Sequence, residues 1–330
     1  MKLRYLKFNP WLVVLACWLH GPVLGQGELQ PAIRVESTDF APGTVTVIPP
    51  EKIPEETFTG PITLRQFLDS HPEIAWRAPD FNDGRPYSDP RTRTLTEMAQ
   101  QVILRREVFC LEFSFKPLRT IYVDIPQPNG RLKRKLIWYL VYRVRYQGND
   151  LRATSDPETN SPYGRIEGIN REARRFFPIF TLVNHATGAE TIDQILPAVK
   201  AKIATLEKIT APLYNTVEIS SVQIPRSSDP AAPGVWGLAT WEDLDPGIDF
   251  LSVYVRGLTN AFRRDEDAEG KIGLVPKVLR MNFYRPGDRI RQTEDRIYFG
   301  LPAHKNEQEQ AYFLEQYGLQ KRLDYEWVYR

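Results

Sequence analysis

Apolar and polar side chains alternate through much of the chain between Val108 and Phe299. The first clear run places four large apolar side chains at every second position: Phe109, Leu111, Phe113 and Phe115. Successive side chains of a β-strand point to opposite faces, so a period of two predicts strands with one buried face. The fold is therefore predicted to be mainly β.

An Asn129-Gly130 pair separates two strand-like runs, Leu118 to Ile125 and Leu132 to Tyr146. Both residues tolerate positive φ, so the pair predicts a tight hairpin turn. Six further strands are predicted: Phe176 to Asn184, Thr216 to Ile224, Val235 to Trp241, Ile248 to Leu258, Lys277 to Tyr284 and Arg296 to Phe299. Strands in such a series favour an antiparallel β-sandwich of immunoglobulin-like character with a few peripheral helices.

Helical spacing is predicted in residues 62–107, where the second of two short helices covers 95–104. A longer helix is predicted from Thr191 to Lys208, because Thr191 and Gln194 have the spacing of a capping box. Pro197 either kinks this helix or marks its true first turn.

The C-terminal part begins with an Asn306/Glu309 capping box and its helix ends near Gly318, before a short alternating segment. The predicted organisation has five parts: a signal peptide (1–25), a Pro-rich extended leader (26–61), a helical N-terminal segment (62–107), a β-sandwich domain (108–302) and a C-terminal helix and strand (303–330).

The first 25 residues have the layout of a secretory signal peptide: a basic start, a short apolar run and small residues before the cleavage position. The apolar run is shorter than the roughly 20 residues that cross a bilayer, which disfavours a retained membrane anchor. Val14 to Cys17 loosely resembles a bacterial lipobox, so lipid attachment at Cys17 is another alternative. We expect an exported protein, periplasmic or extracellular, without a transmembrane segment in its mature part.

Loss of this peptide removes three of the 43 basic residues and none of the 41 acidic ones, which leaves a net charge of about −1. A general affinity for nucleic acid is therefore not indicated. Cys110 would be the only remaining cysteine, so apolar burial and not a disulfide must stabilise the fold.

Cys110 is also a candidate nucleophile, with His71, His185 or His304 as its base. A lone cysteine inside a strand is more often a small buried apolar residue, and we favour that interpretation.

Asp265, Asp267 and Glu269 occupy the first, third and fifth positions of a pattern like the front half of an EF-hand calcium loop. Pro276 stands at the twelfth position, where a bidentate glutamate should complete the coordination. The alternative is a solvated acidic connection between strands. No cofactor is predicted beyond this calcium hypothesis.

Asp243, Asp245 and Asp249 surround a Pro-Gly pair between two predicted strands. Two such carboxyls could bind a cation or serve as acid and base on a glycosidic bond. Carboxylates in turns also commonly accept hydrogen bonds from their own backbone. Six aromatic residues raise carbohydrate binding as a further role, although strand aromatics are mostly core: Trp138, Trp236, Trp241, Tyr254, Trp327 and Tyr329.

The stretch from Phe109 to Pro302 resembles a family of exported bacterial proteins without an assigned activity. The resemblance rests on the segments Trp138 to Val144, Phe177 to Val183, Val235 to Asp243 and Phe250 to Leu258. It implies a bacterial source and a compartment beyond the inner membrane. It implies no activity, cofactor or catalytic residue.

These features predict an exported, non-enzymatic binding or structural module of the bacterial cell envelope. Its expected partner is an envelope protein or a polysaccharide, and not nucleic acid. The alternative is an extracytoplasmic hydrolase or carbohydrate-binding protein that uses the acidic turn from Asp243 to Asp249.

Overall fold

A computed structural model describes most of the chain, in these ranges: 33–36, 44–61, 103–158, 161–229, 231–266, 272–286, 296–301, 306–321 and 323–330. The predicted signal peptide and residues 62–102 of the predicted helical segment lie outside the described residues.

The described strands are β1 (Ile33–Glu36), β2 (Thr44–Ile48), β3 (Phe58–Pro61), β4 (Ile103–Arg105), β5 (Glu112–Phe115), β6 (Arg119–Pro126), β7 (Leu132–Arg145), β8 (Asp150–Asp156), β9 (Ser161–Ile169), β10 (Ala173–Arg174), β11 (Ile179–Asn184), β12 (Glu190–Ile192), β13 (Leu213–Tyr214), β14 (Ile224–Pro225), β15 (Val235–Glu242), β16 (Phe250–Arg256), β17 (Phe262–Glu266), β18 (Ile272–Tyr284), β19 (Tyr298–Phe299) and β20 (Tyr325–Tyr329). The described helices are a short 3-10 helix (Pro54–Thr57) and three α-helices, α1 (Pro197–Leu206), α2 (Thr216–Ser220) and α3 (Glu307–Gln316).

Most of these strands form two seven-stranded sheets. The first has the order β1-β2-β5-β7-β15-β13 with β6 paired to β7, and the second has the order β12-β11-β16-β18-β17 with β19 and β20 paired to β18. Their pairs are antiparallel except for the parallel pair β13–β15. The prediction of a mainly β fold with antiparallel sheets is confirmed. Strands β1, β2 and β20 join these sheets from outside the predicted 108–302 boundary.

One apolar cluster draws buried side chains from both sheets. Strand β7 of the first sheet contributes Leu140 and Tyr142, while Phe180 and Val253 come from strands β11 and β16 of the second. The rings of Tyr142 and Phe180 have their centroids 4.7 Å apart. The two sheets are therefore held together by side chains that are removed from water.

A second apolar cluster lies on the opposite side of the first sheet, beneath helix α1. Strand β7 contributes Tyr139 and Val141 to it, and α1 contributes Val199 and Ile203. Strand β7 is thus buried on both faces, whereas the alternating pattern predicts one buried face.

Strand β15 accommodates the large Tyr142 ring through a glycine. Gly237 is the cross-strand partner of Tyr142, and a Cβ at Gly237 would lie 2.2 Å from the tyrosine Cζ. Any other residue here would displace the ring, which is fully buried and stacks on Phe113 at 5.5 Å.

The hairpin predicted at Asn129-Gly130 is present as β6 and β7. Its register pairs Pro126 with Leu132, and Gly130 has a φ of 77°. The Asn129 side chain accepts a hydrogen bond from the Arg131 N–H at 3.0 Å. The predicted turn is therefore present, but only Gly130 of the pair takes a positive φ, and residues 127–131 connect the two strands.

The predicted helix from Thr191 to Lys208 begins six residues later than predicted, at Pro197. Thr191 instead belongs to strand β12, where it pairs with Leu182 of strand β11. The Thr191/Gln194 capping-box prediction was wrong, and Pro197 marks the first turn. The predicted C-terminal helix is present as α3, with Asn306 as its N-cap.

The strand predicted from Thr216 to Ile224 was also wrong, because its first five residues form helix α2. The side chain of Asn215 accepts hydrogen bonds from the N–H groups of Val217 and Glu218. The Glu218 carboxylate in turn accepts one from the Asn215 N–H at 2.9 Å. This capping box outweighs the strand preference of the β-branched residues that follow.

Other segments also differ from the predictions. Within the predicted leader, Thr44–Ile48 is a strand of the first sheet, and the Ile48 side chain is fully buried. The end of the helix predicted at 95–104 lies in strand β4. The hairpin of β8 and β9 was not predicted, because its residues are mostly polar and carry no apolar alternation.

A buried ion pair connects the C-terminal end of helix α1 to the first sheet. Glu207 directly follows the last residue of α1. Its carboxylate lies 2.7 Å from Lys116 Nζ, and both side chains are 1% exposed. Arg119 and the Tyr139 hydroxyl also donate to the Glu207 carboxylate, at 2.7 and 2.9 Å. These groups replace the hydrogen bonds to water that the carboxylate loses on burial.

We predict that Glu207→Gln lowers the free energy of unfolding by about 3–5 kcal/mol, because Lys116 is left as an uncompensated buried charge. Glu167→Gln is the matched control, since Glu167 pairs with Arg152 and both side chains are at least 36% exposed. The control should cost less than about 1 kcal/mol. Equal losses for the two variants in urea denaturation would show that the pair does not hold α1 in place.

Candidate functional site

The predicted acidic turn is exposed to solvent, and two of its carboxylates have partners within the protein. The Asp243 side chain is 69% exposed and lies 2.8 Å from Lys135 Nζ. Asp245 accepts a hydrogen bond from the Gly247 N–H at 2.9 Å, which is a turn-forming contact. Asp249 is exposed as well, and partial burial raises the pKa of its carboxyl. The described contacts of Asp243 and Asp245 are those of a solvated turn.

The predicted calcium loop is described only in part. Asp265 lies in strand β17 and forms an ion pair with Arg263 at 2.7 Å, which lowers the pKa of the Asp265 carboxyl. Asp267 and Glu269 lie outside the described residues. Among the residues that are described, no group of three or more His, Cys, Asp or Glu side chains is arranged to hold a metal ion.

Cys110 is 1% exposed, and burial raises the pKa of its thiol to about 12. The reactive thiolate is therefore disfavoured at this position. Of the candidate bases, His71 and His304 lie outside the described residues, and His185 contacts a serine.

His185 and Ser252 form a polar network on the outer side of the second sheet. His185 Nε2 lies 2.7 Å from Ser252 Oγ, which donates to Asn282 Oδ1 at 2.6 Å. Arg280 Nε donates to the same serine oxygen at 3.4 Å. Because the hydroxyl proton of Ser252 goes to Asn282, His185 Nε2 must be the donor in its own bond with Ser252.

This arrangement is the reverse of a base and its nucleophile, in which the serine would donate to the histidine. Ser252 is also fully buried, so no substrate reaches its oxygen. Burial, together with the nearby Arg280 charge, lowers the pKa of His185 to about 4. The network therefore stabilises the fold with a neutral histidine.

We predict that stability falls as the pH drops from 6.5 to 4. In this window the unfolded histidine binds a proton and the folded one does not, so the unfolded state is favoured at the lower end, by less than the roughly 3 kcal/mol of an unscreened group because the ring is partly exposed to solvent. His185→Gln keeps a donor for Ser252 and removes the titration. The wild-type free energy of unfolding from urea denaturation should exceed that of the variant by a smaller amount at pH 4 than at pH 6.5. A difference that is constant with pH would contradict a neutral His185 in the folded protein.

The aromatic residues considered for carbohydrate binding divide into two groups. Trp138, Trp236 and Trp241 are at most 3% exposed, so they cannot stack on a sugar. Tyr254, Trp327 and Tyr329 are half-buried.

A concave surface lies at the end of the first sheet, where β13, α1 and α2 meet. Its larger, open part has a volume of about 490 Å³ and is lined by the β13 residues, Pro212, Ser221 and Val222. A smaller, more enclosed part of about 60 Å³ adjoins it, lined by residues that include Gln194, Thr216 and Thr240. Lys200 and Glu218 line both parts, so we treat them as one cleft, named here the α1–α2 cleft.

An ion pair stands at the centre of the α1–α2 cleft. Lys200 Nζ on α1 lies 2.7 Å from the Glu218 carboxylate on α2, and the side chains are 31% and 42% exposed. The hydrogen bond from Lys200 lowers the pKa of Glu218. Since Glu218 also belongs to the capping box of α2, the local fold holds this carboxylate in position.

The rest of the lining is mixed in character. Thr216 donates to the Asp193 carboxylate behind the cleft, and burial raises the pKa of Asp193. Apolar surface comes from Ile195, Leu238 and Leu213. The cleft therefore offers an ammonium group, a carboxylate, amides, hydroxyls and apolar surface, which are groups for binding.

The residues of the α1–α2 cleft are not among the candidate site residues that the sequence predicts. Asn215 and Glu218 have the spacing of a capping box, and this signal would have placed α2 correctly. The β-branched residues between 216 and 224 compete with this signal, because they favour a strand.

Comparisons of the chain with protein-family profiles, with curated proteins and with solved structures give no match. Among the described residues, no helix has both the length and the apolar character that a membrane span requires.

Proposed function

We propose that this protein is an exported, non-enzymatic binding module of the bacterial cell envelope. Its α1–α2 cleft binds an extended peptide segment of another envelope protein. The observation that carries the proposal is the position of the cleft along β13, the end strand of the first sheet.

The end strand of a sheet presents backbone groups that are not paired by a further strand. An extended peptide that lies beside β13 can pair with these groups, as in other cases where a peptide adds a strand to a sheet. Strand β13 spans two residues, so side-chain contacts in the cleft must supply the rest of the affinity.

Lys200 and Glu218 suit the backbone and polar side chains of a peptide, because together they provide a donor and an acceptor. Their partial exposure lets a ligand reach both groups.

The hydrolase alternative has less support. Asp243 is engaged by Lys135 and Asp245 by its own turn, and both side chains are exposed. Neither lines the α1–α2 cleft. A general acid needs a raised pKa in a site that excludes water, and Asp249 has the raised pKa but an exposed side chain.

We also propose an immunoglobulin-like β-sandwich for the described fold. Its support is the shared apolar cluster of two antiparallel sheets. Export is supported by the sequence pattern of residues 1–25.

The proposal predicts that Lys200→Gln weakens peptide binding about tenfold, through loss of one charge-assisted hydrogen bond. Binding of the full chain to an array of extended peptides, with oligosaccharides as a second set, measures this effect. Lys208→Gln is the matched control, because Lys208 is exposed just beyond α1 and does not line the cleft.

The bound peptide should also shift the backbone amide resonances of Leu213 and Tyr214. Binding of oligosaccharides alone, or equal weakening by the two lysine variants, would overturn the peptide assignment.

A further inference from the structure

The tip of the β6–β7 hairpin carries a cluster of positive charge on an otherwise nearly neutral protein. The five residues after the turn are Arg131, Leu132, Lys133, Arg134 and Lys135. We name residues 126–135 the basic tip. Within it, the described side chains from Pro126 to Arg134 are exposed, apart from the half-buried Gln127.

The charges of the basic tip are unequally compensated. Lys135, at its base, lies 3.0 Å from Glu242 and 2.8 Å from Asp243, so acidic groups neutralise it. Among the described residues, Arg131, Lys133 and Arg134 form no ion pair within 4.0 Å. Arg134 lies over the Tyr122 ring at 4.9 Å and is the cross-strand partner of the exposed Asp124. A net positive charge therefore remains at the end of the hairpin.

An apolar side chain accompanies these charges. Leu132 is 68% exposed, the highest value among the exposed large apolar side chains that the structure describes. Successive side chains of strand β7 alternate between faces, so Leu132 and Arg134 lie on one side of the hairpin and Lys133 on the other, with Arg131 in the turn before them. An object that meets the tip end-on is therefore contacted by cations from both sides and by the leucine.

We propose that the basic tip binds the surface of an anionic lipid bilayer. Cations attract the negatively charged headgroups, and an apolar side chain gains by entering the boundary between headgroups and acyl chains. A soluble polyanion would satisfy the cations but would give Leu132 no apolar phase to enter. The exposed leucine is the feature that favours a membrane over such a polymer.

The experiment measures co-sedimentation of the full chain with vesicles of phosphatidylcholine that contain 30% phosphatidylglycerol, against vesicles of pure phosphatidylcholine. Replacing the three uncompensated cations, as Arg131→Gln, Lys133→Gln and Arg134→Gln together, should weaken binding to the anionic vesicles roughly 100-fold, at about fivefold per cation. Leu132→Ser should weaken it roughly tenfold. All replaced side chains are exposed, so thermal stability should not change.

A matched control replaces three exposed arginines outside the tip, as Arg165→Gln, Arg175→Gln and Arg256→Gln. It removes the same total charge and should leave vesicle binding within about twofold of wild type. Hydrogen exchange of residues 126–135 gives a second readout that is insensitive to residues 1–25, and vesicles should slow it.

Three results would overturn the proposal. The first is that the tip and control variants weaken vesicle binding equally. The second is that anionic vesicles leave hydrogen exchange in residues 126–135 unchanged. The third is that the protein binds soluble polyphosphate but not vesicles, and that Leu132→Ser leaves the polyphosphate binding intact.

Discussion

Burial of strand β7 on both faces is the interaction on which the rest of the structure depends. One face packs against the second sheet through residues such as Leu140 and Tyr142, and the other packs beneath α1 through Tyr139 and Val141. Each fully buried side chain of this size contributes about 1.5–3 kcal/mol. A strand of 14 residues that is paired to β5, β6 and β15 therefore joins both apolar clusters in one element.

Buried charged side chains next to these apolar clusters are paired with side chains of opposite charge. Glu112 accepts from Arg145 of β7 at 2.6 Å, and Glu56 lies 2.5 Å from Lys277 of β18 and 3.0 Å from the Tyr329 hydroxyl. The two contacts of Glu56 connect the segment before residue 61 to strands β18 and β20. Strand β7 also places the two proposed binding surfaces, since it extends into the basic tip and its neighbour β15 carries β13 at the α1–α2 cleft.

Local patterns predicted much of the β structure, because period-two alternation and turn chemistry act within a few residues. The β6–β7 hairpin is an example, since Gly130 supplies the positive φ of its turn and the Asn129 side chain accepts a hydrogen bond within it. Prediction failed where two local signals competed. Thr191 and Gln194 have capping-box spacing, yet pairing with β11 draws Thr191 into a strand, whereas the real capping box is at Asn215 and Glu218.

The candidate sites were less predictable than the fold, because a site depends on distances between segments far apart in sequence. The acidic turn is a candidate site in the sequence because its carboxylates are clustered. In the structure, Lys135, 108 residues away, neutralises one of them. The α1–α2 cleft combines residues from 194 to 240 and needs the correct placement of α2. The basic run from Arg131 to Lys135 is visible in the sequence, but only the structure distinguishes the compensated Lys135 from its neighbours.

Native-state hydrogen exchange tests the central role of β7 most directly. If β7 is the frame of the fold, the amides of residues 137–144 should exchange only through global unfolding, with the same free energy that urea denaturation gives. Edge strands such as β12 should exchange through smaller, local openings. Exchange of the β7 amides at a lower free energy than those of β16 or β18 would contradict this account.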